Sequence, residues 1–392
     1  MKIAILTFSQ TTNYGAALQC YALSKYLQNL GHNIIIFNIP LIIEQKEKLS
    51  SLSSFFKISR NILSRLKRLI IVKKDTNAES IRYVRNNKEK KEDAYWDEQT
   101  RLLFKSFNEK YLPTFTKEFL TENDLCDNYP KADLYIVGSD QVWNPSITQK
   151  QKNIFFFSFL KDEPRISYAA SFGGSSKWNL SQKENKEIQF LLEKFKGISV
   201  RENNGITILN NIFKLKGQEV LDPTLLLSTN DYIKLAQNSQ LDGTSNLYAY
   251  KFIINDIWLS TLHFIAQETS STLRMDCETI HLRNVPFNPT LSIEGWLKLI
   301  QTSKFIVTDS FHCTVFCVLF RKQFLVTPSY PGGEGRMLSF LKKLGLEDRF
   351  YFTTQQIRSN PNNWKRTINY DEVYKRLYHH KDLSIKYLMK YL

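Results

Sequence analysis

Apolar residues run unbroken from Ile3 to Leu6 within KIAILTF (2–8), give way to polar SQTTNYG (9–15), and then recur at helical spacing. A short continuous apolar run bounded by turn residues reads as a strand buried on both faces. In the next segment, Ala17, Leu18, Tyr21, Ala22, Lys25, Tyr26 and Leu30 supply most of one helical face, and Gly31 is placed to cap the end. HNIIIFNI (32–39) is a second buried strand. Strand, loop, helix and strand in this order make a βαβ unit. Its loop lies at the carboxyl end of the first strand, where open α/β sheets bind ligands.

The pattern recurs along the chain. ADLYIVGSD (132–140), RISYAASFG (165–173), GISVRE (197–202) and EVLDPTLLL (219–227) each read as a strand. After residue 228 the cycle restarts, with strands in NLYAYKFII, TLRMDCE, KFIVTDS and QFLVTP alternating with helices in DIWLSTLHFIAQET, IEGWLKLIQTS and FHCTVFCVLFRK. This alternation predicts an α/β protein of two Rossmann-like domains facing a cleft, 1–227 and 228–392. The second domain is expected to close with an amphipathic helix in DEVYKRLYHHKDLSIKYLMKYL.

Residues 44–131 interrupt the cycle and are predicted to be a mostly helical insertion in the first domain. Within it, residues 55–74 carry seven basic side chains and no acidic one, with Ile58, Ile62, Leu66 and Leu69 on one helical face. Two readings stand: a helix packed on the domain with a solvated outer face, or one resting on anionic lipid headgroups.

Composition narrows the partners. The chain has 392 residues and a net charge of +15, which favours anions: nucleic acid, an acidic membrane surface or phosphorylated substrates. Its basic residues cluster in one insert and no DNA- or RNA-binding motif is present, so no nucleic acid is expected. The five cysteines form no CxxC pair, which argues against a disulfide framework or zinc site and for a cytoplasmic setting. Cys313 and Cys317, one helical turn apart, read as small buried hydrophobes. No secretory signal and no apolar run long enough to span a bilayer is visible.

The candidate chemistry lies at the ends of the predicted strands. In FIVTDSFHCTVF (305–316) an apolar strand runs into Ser310 and a lone histidine, His312, at a helix start. Free backbone N–H groups and the helix dipole favour an anion there. Ser310 can cap the helix and donate to a phosphate or carboxylate, and His312 can exchange a proton once an anion binds. A histidine simply satisfied in packing is the alternative. Arg201 ends the strand in ISVRE, and Arg336 opens a helix after a glycine-rich loop; arginine matches phosphate and carboxylate oxygens in a fork. GSDQVWNP (138–145), with Ser139, Asp140 and Gln141, suits a hydroxyl-rich ligand. No HExxH, zinc spacing, GxSxG elbow or acidic metal cluster appears, so metal-free and cofactor-free chemistry on an anion is expected.

NYGAALQCYAL, VGSDQVWNP, ISYAASFG, SVRE, LDPTLLL, TDSFHCTVF and GLEDR occur in this order over nearly the whole chain. Together they resemble the polysaccharide pyruvyl transferase family. The resemblance implies a glycosyltransferase-B-like fold with the active site between two domains. It implies transfer of the pyruvyl group of phosphoenolpyruvate to two hydroxyls of one sugar, giving a cyclic ketal and phosphate. His312 matches the family's SFH histidine and becomes the expected general acid. Arg201, Ser310, His312 and Arg336 are expected to hold phosphoenolpyruvate, with Arg201 also counted as catalytic. Asn13, Tyr14, Gly15, Ser139, Asp140 and Gln141 are expected to face the acceptor. The family often has glycine after the histidine, where this chain has Cys313. A nucleotide-sugar-dependent glycosyltransferase and a non-catalytic polysaccharide-pathway protein remain alternatives.

The basic stretch at 55–74 would hold such an enzyme at the inner face of the membrane, near a sugar on a polyprenyl-phosphate carrier. Neutralising Arg65, Lys67 and Arg68 is then expected to weaken binding to anionic liposomes at low salt. Unchanged binding would remove the membrane from the picture.

Overall fold

The computed structural model describes residues 1–42, 87–126, 128–173, 178–241, 246–252, 254–277, 291–328 and 334–392. The basic stretch at 55–74 lies outside them. The first apolar run forms β1 (Lys2–Leu6), the centre of a parallel sheet with β2 (Asn33–Asn38), β3 (Phe115–Glu118), β4 (Leu134–Val137) and β5 (Arg165–Ser167), in the order β3-β2-β1-β4-β5. Ile3 sits opposite Ile34 on one side and Leu134 on the other, so apolar side chains meet across the sheet. The short pair β6 (Ser199–Val200) and β7 (Gln218–Glu219) extends this half through bridges from Ile166 to Gly197 and from Ala170 to Val200.

A second parallel sheet joins β8 (Leu247–Lys251), β9 (Leu273–Cys277), β10 (Phe305–Thr308) and β11 (Gln323–Val326) in the order β11-β10-β8-β9. Its central β10 is buried at every position, which explains its uniformly apolar or β-branched FIVT sequence. The molecule is thus α/β with two Rossmann-like halves, glycosyltransferase-B-like in architecture.

Helix α1 (Tyr14–Asn29) follows β1 and is started by Asn13, whose side chain accepts from the Ala16 N–H at 3.1 Å. Gly31, at φ +86°, lies two residues beyond the helix end. The apolar face of α1 joins a core that runs into the second half. Tyr14 stacks on Trp296 with ring centroids 5.0 Å apart, and its hydroxyl donates to the Leu291 carbonyl at 2.9 Å. Helix α2 (Asn87–Tyr111) adds Phe104 and Phe107 to the same core.

Two expected boundaries change. The helical insertion does not extend to 131, because Phe115–Glu118 pairs with β2 as the edge of the first sheet. A four-residue, half-polar edge strand carries little of the apolar signal that marks central strands. In EVLDPTLLL only Glu219 belongs to a strand. Asp222 accepts from the Thr224 N–H and starts a single turn over Pro223–Leu225. Proline lacks the N–H that a continuing ladder needs.

The closing helix (Tyr370–Met389) divides its contacts between the halves. Tyr370, Val373, Tyr374 and Leu377 pack in the core shared with the second half, and Tyr387 and Leu388 pack beneath the first sheet. Tyr387 donates to the Ser167 carbonyl at 2.9 Å, and Ser384 accepts from the Leu221 N–H at 2.9 Å.

Candidate functional site between the two halves

Two helices begin at the seam. Ser310 caps α3 (Phe311–Leu319), its hydroxyl accepting from the Cys313 N–H at 3.4 Å, and places His312 in the first turn. Across the seam is the first turn of α1. The His312 ring lies so close to Gly15 that a methyl group there would stand 1.9 Å from Nδ1 and 2.3 Å from Cγ. No side chain larger than hydrogen fits at residue 15 while the ring stays in place.

The other ring nitrogen meets a carboxylate. His312 Nε2 is 3.4 Å from Asp222 Oδ2, an approach whose geometry does not make a hydrogen bond. Asp222 is fully buried but well partnered. Its Oδ2 accepts from Arg201 Nη1 at 2.9 Å and Ser139 Oγ at 3.0 Å, and its Oδ1 accepts from the Thr224 N–H at 3.0 Å and hydroxyl at 2.7 Å. Burial alone would push this carboxyl up. His312, Arg201 and Thr224 outweigh burial and hold it far below the usual carboxylate range.

Arg201 is enclosed by acids. Besides Asp222, its guanidinium lies 3.5 Å from Asp140 and 3.6 Å from Glu202, and it covers the Phe311 ring at 4.5 Å. Burial disfavours its charge, and Asp140, Asp222 and Glu202 together more than restore it. Burial raises the Glu202 carboxyl, which accepts from Ser171 Oγ at 2.6 Å.

Beside this cluster is a cavity of about 550 Å³. Asn13, Asp140 and Gln141 line it from the first half, and Ser310, His312 and Arg336 from the second. Six of the ten candidate residues therefore meet on one wall. The other four do not. Arg201 sits behind the wall in its carboxylate cage. Gly15 supports the His312 ring. Tyr14 is core, stacked on Trp296. Ser139 is fully buried, its hydroxyl bonded to the Ala169 carbonyl and Asp222 and its N–H to Gln19 Oε1.

Sequence reasoning missed Asp222 and a second buried ion pair. Asp309, on the cavity wall, accepts from Lys251 Nζ and the Phe252 N–H, both at 2.9 Å. Lys251 also donates to Thr327 Oγ1 at 2.8 Å and stands over the Trp258 ring at 4.1 Å. Burial is the main influence on the Asp309 carboxyl and raises it. The available signals were single charges inside apolar runs, the Asp of LDPTLLL and the Lys of YAYKF. Cys313 and Cys317 are buried and unpaired, and burial drives the Cys317 thiol up. Among the described residues no group of three His, Cys, Asp or Glu is arranged to hold a metal. No described helix is long and apolar enough to cross a membrane.

Asp222→Asn keeps the shape and removes the charge that meets Arg201 and His312. Breaking a buried pair in this way costs about 3–5 kcal/mol. Because folding depresses this carboxyl, its stabilisation is present above the ordinary carboxylate range, about pH 4, and is lost as pH falls further. The melting temperatures of wild type and variant are expected to differ most near pH 7 and to converge below about pH 4. Parallel curves from pH 7 to pH 3 would show that Asp222 carries no such charge.

Structural comparison adds the relatives of this fold. An S. aureus MnaA–UDP structure superposes with a TM-score of 0.50 at 12% identity, covering 97% of this chain and 90% of that one. A UDP-GlcNAc 2-epimerase from Neisseria meningitidis bound to UDP-GlcNAc gives a TM-score of 0.48 at 13% identity, covering 100% of both chains. At such identities the likeness concerns the fold alone. No curated protein gives a significant match. The sequence model of polysaccharide pyruvyl transferases matches residues 13–329, a span that holds Asn13, Arg201, Asp222 and His312. With most of its length matched, the chain belongs to the polysaccharide pyruvyl transferase family.

Proposed function

We propose that the cavity transfers the pyruvyl group of phosphoenolpyruvate to two hydroxyls of one sugar, forming a cyclic ketal. The observation that carries this reading is the seat of His312: its ring lies on Gly15, its Nε2 faces a buried carboxylate, and it lines a cavity at a helix N-terminus. Phosphoenolpyruvate bears a phosphate and a carboxylate, which suit the Arg336 guanidinium and the N–H groups and Ser310 hydroxyl at the start of α3.

In this mechanism His312 gives a proton to the methylene carbon, which becomes the methyl group. The positive charge left at the neighbouring carbon is met by one sugar hydroxyl, forming the first C–O bond. The C–O bond to phosphate then breaks, and the second hydroxyl closes the ketal. The two hydroxyls release two protons: one restores His312 and the other leaves with phosphate. Asn13, Asp140 and Gln141 offer side-chain oxygens to the acceptor's hydroxyls. Arg201 acts at one remove, fixing Asp140 and Asp222. General acid catalysis of this kind contributes about 10²–10⁴-fold. The basic stretch at 55–74 supports an acceptor carried on a polyprenyl phosphate.

A thermal-shift titration with phosphoenolpyruvate, UDP and sulfate tests this reading. A ligand at 100 times its dissociation constant stabilises the fold by about 2.7 kcal/mol. Phosphoenolpyruvate alone is expected to give the shift, and Arg336→Ala to abolish it. A shift with UDP and none with phosphoenolpyruvate would favour a nucleotide-sugar glycosyltransferase instead.

A further inference from the structure

A second cavity, of about 720 Å³, adjoins the first, and Phe8 and Thr11 line both. Its walls come from the loop after β1, the end of β2 and helix α2. The volume is that of a small-molecule site. Phe8, Phe104 and Phe115 supply apolar surface.

Two carboxamide oxygens in this wall have no partner among the described residues. Asn108 is only 8% exposed; its Nδ2 donates to the Ser9 carbonyl at 3.3 Å and its Oδ1 accepts nothing. The Asn38 backbone is used in the sheet edge, its N–H donating to Thr116 Oγ1 and its carbonyl accepting from Phe119, while its Oδ1 is also unpartnered. Buried acceptors are costly unless a donor reaches them. The wall's cations are each matched by an acid. Glu98 holds Arg101 at 2.6 and 2.8 Å, and Lys105 lies 3.7 Å from Glu109. A neutral ligand rich in hydroxyl donors, with apolar faces for the phenylalanines, fits this chemistry better than a phosphate.

We infer that the second cavity binds the next sugar of the glycan whose neighbouring residue receives the pyruvyl group, so that the acceptor is at least a disaccharide. The inference rests on the proposal that the first cavity takes a sugar. Phe8 and Thr11 are the common wall along which a glycosidic linkage passes between the cavities.

Saturation-transfer NMR on the full chain tests it with matched neutral probes: methyl β-galactoside against lactose, and methyl β-glucoside against cellobiose. Glucose 1-phosphate serves as the anionic control. At least one disaccharide is expected to bind about tenfold more tightly than its methyl glycoside, as one or two added hydrogen bonds would give. Asn108→Leu is expected to erase that advantage, and Asn38→Ala, at a less buried site, to reduce it in a chain whose melting temperature is unchanged. Equal binding of the paired probes, an advantage that survives both variants, a response to glucose 1-phosphate alone, or no response to any probe would overturn the inference. The phosphoenolpyruvate thermal shift is a separate readout. Its failure beside an intact disaccharide advantage would discard the donor reading and keep the sugar site, and the reverse result would discard only the sugar site.

Discussion

A carboxylate fully removed from water survives only where its charge is met and its lone pairs are filled. Asp222 meets that demand with Thr224 from the turn it starts and with groups from distant parts of the chain: Ser139 from the turn after β4, Arg201 from the end of β6, and His312 from the second half. Each partner is held by its own element, so the carboxylate works as a fixed point where the halves meet. Arg201 repeats the pattern with opposite sign, one guanidinium among three acids. The stack of Tyr14 on Trp296 closes the same seam from the apolar side.

That constraint determines what the cleft can do. With Asp222 behind it and Gly15 against its other edge, the His312 ring has little freedom, and it remains on the wall of the cavity. Preorganisation of this kind is what a proton donor needs, since a displaced acid loses most of its effect. Asp309 plays a similar part nearby: its bonds to Lys251 and the Phe252 N–H tie the loop after β8 to the loop after β10. Buried ion pairs therefore set the geometry on both sides of Ser310 and His312, while Asn13, Asp140, Gln141, Ser310, His312 and Arg336 are among the polar groups that line the cavity.

The central strands were legible because burial on both faces leaves unbroken apolar runs, and one helix start was legible from Ser310; the start of α1 was read too late, because its cap, Asn13, sits inside a polar run that reads as loop as far as Gly15. The edge strand at Phe115–Glu118 was not, because its outer side has no strand partner among the described residues and its sequence is half polar. The sequence placed Arg201 at a strand end, which is correct, but position along a strand does not show which way a guanidinium points or how many acids await it. Gly15 appeared as part of a loop facing the ligand. Its close approach to a residue almost 300 positions later is a tertiary fact with no local signature. Asp222 was hidden by its neighbours, since an acid beside proline reads first as a turn.

The most direct test of His312 as the seated proton donor is Gly15→Ala. Alanine is the best helix former, so the substitution at the start of α1 leaves local propensity intact and only crowds the ring. Phosphate release from phosphoenolpyruvate would be measured with a membrane glycan extract as acceptor, for wild type and variant. A fall of about 10²–10⁴-fold in a variant that still shows the phosphoenolpyruvate thermal shift is the expected result. Wild-type turnover in Gly15→Ala, or no phosphate release by the wild type itself, would contradict the role given to His312.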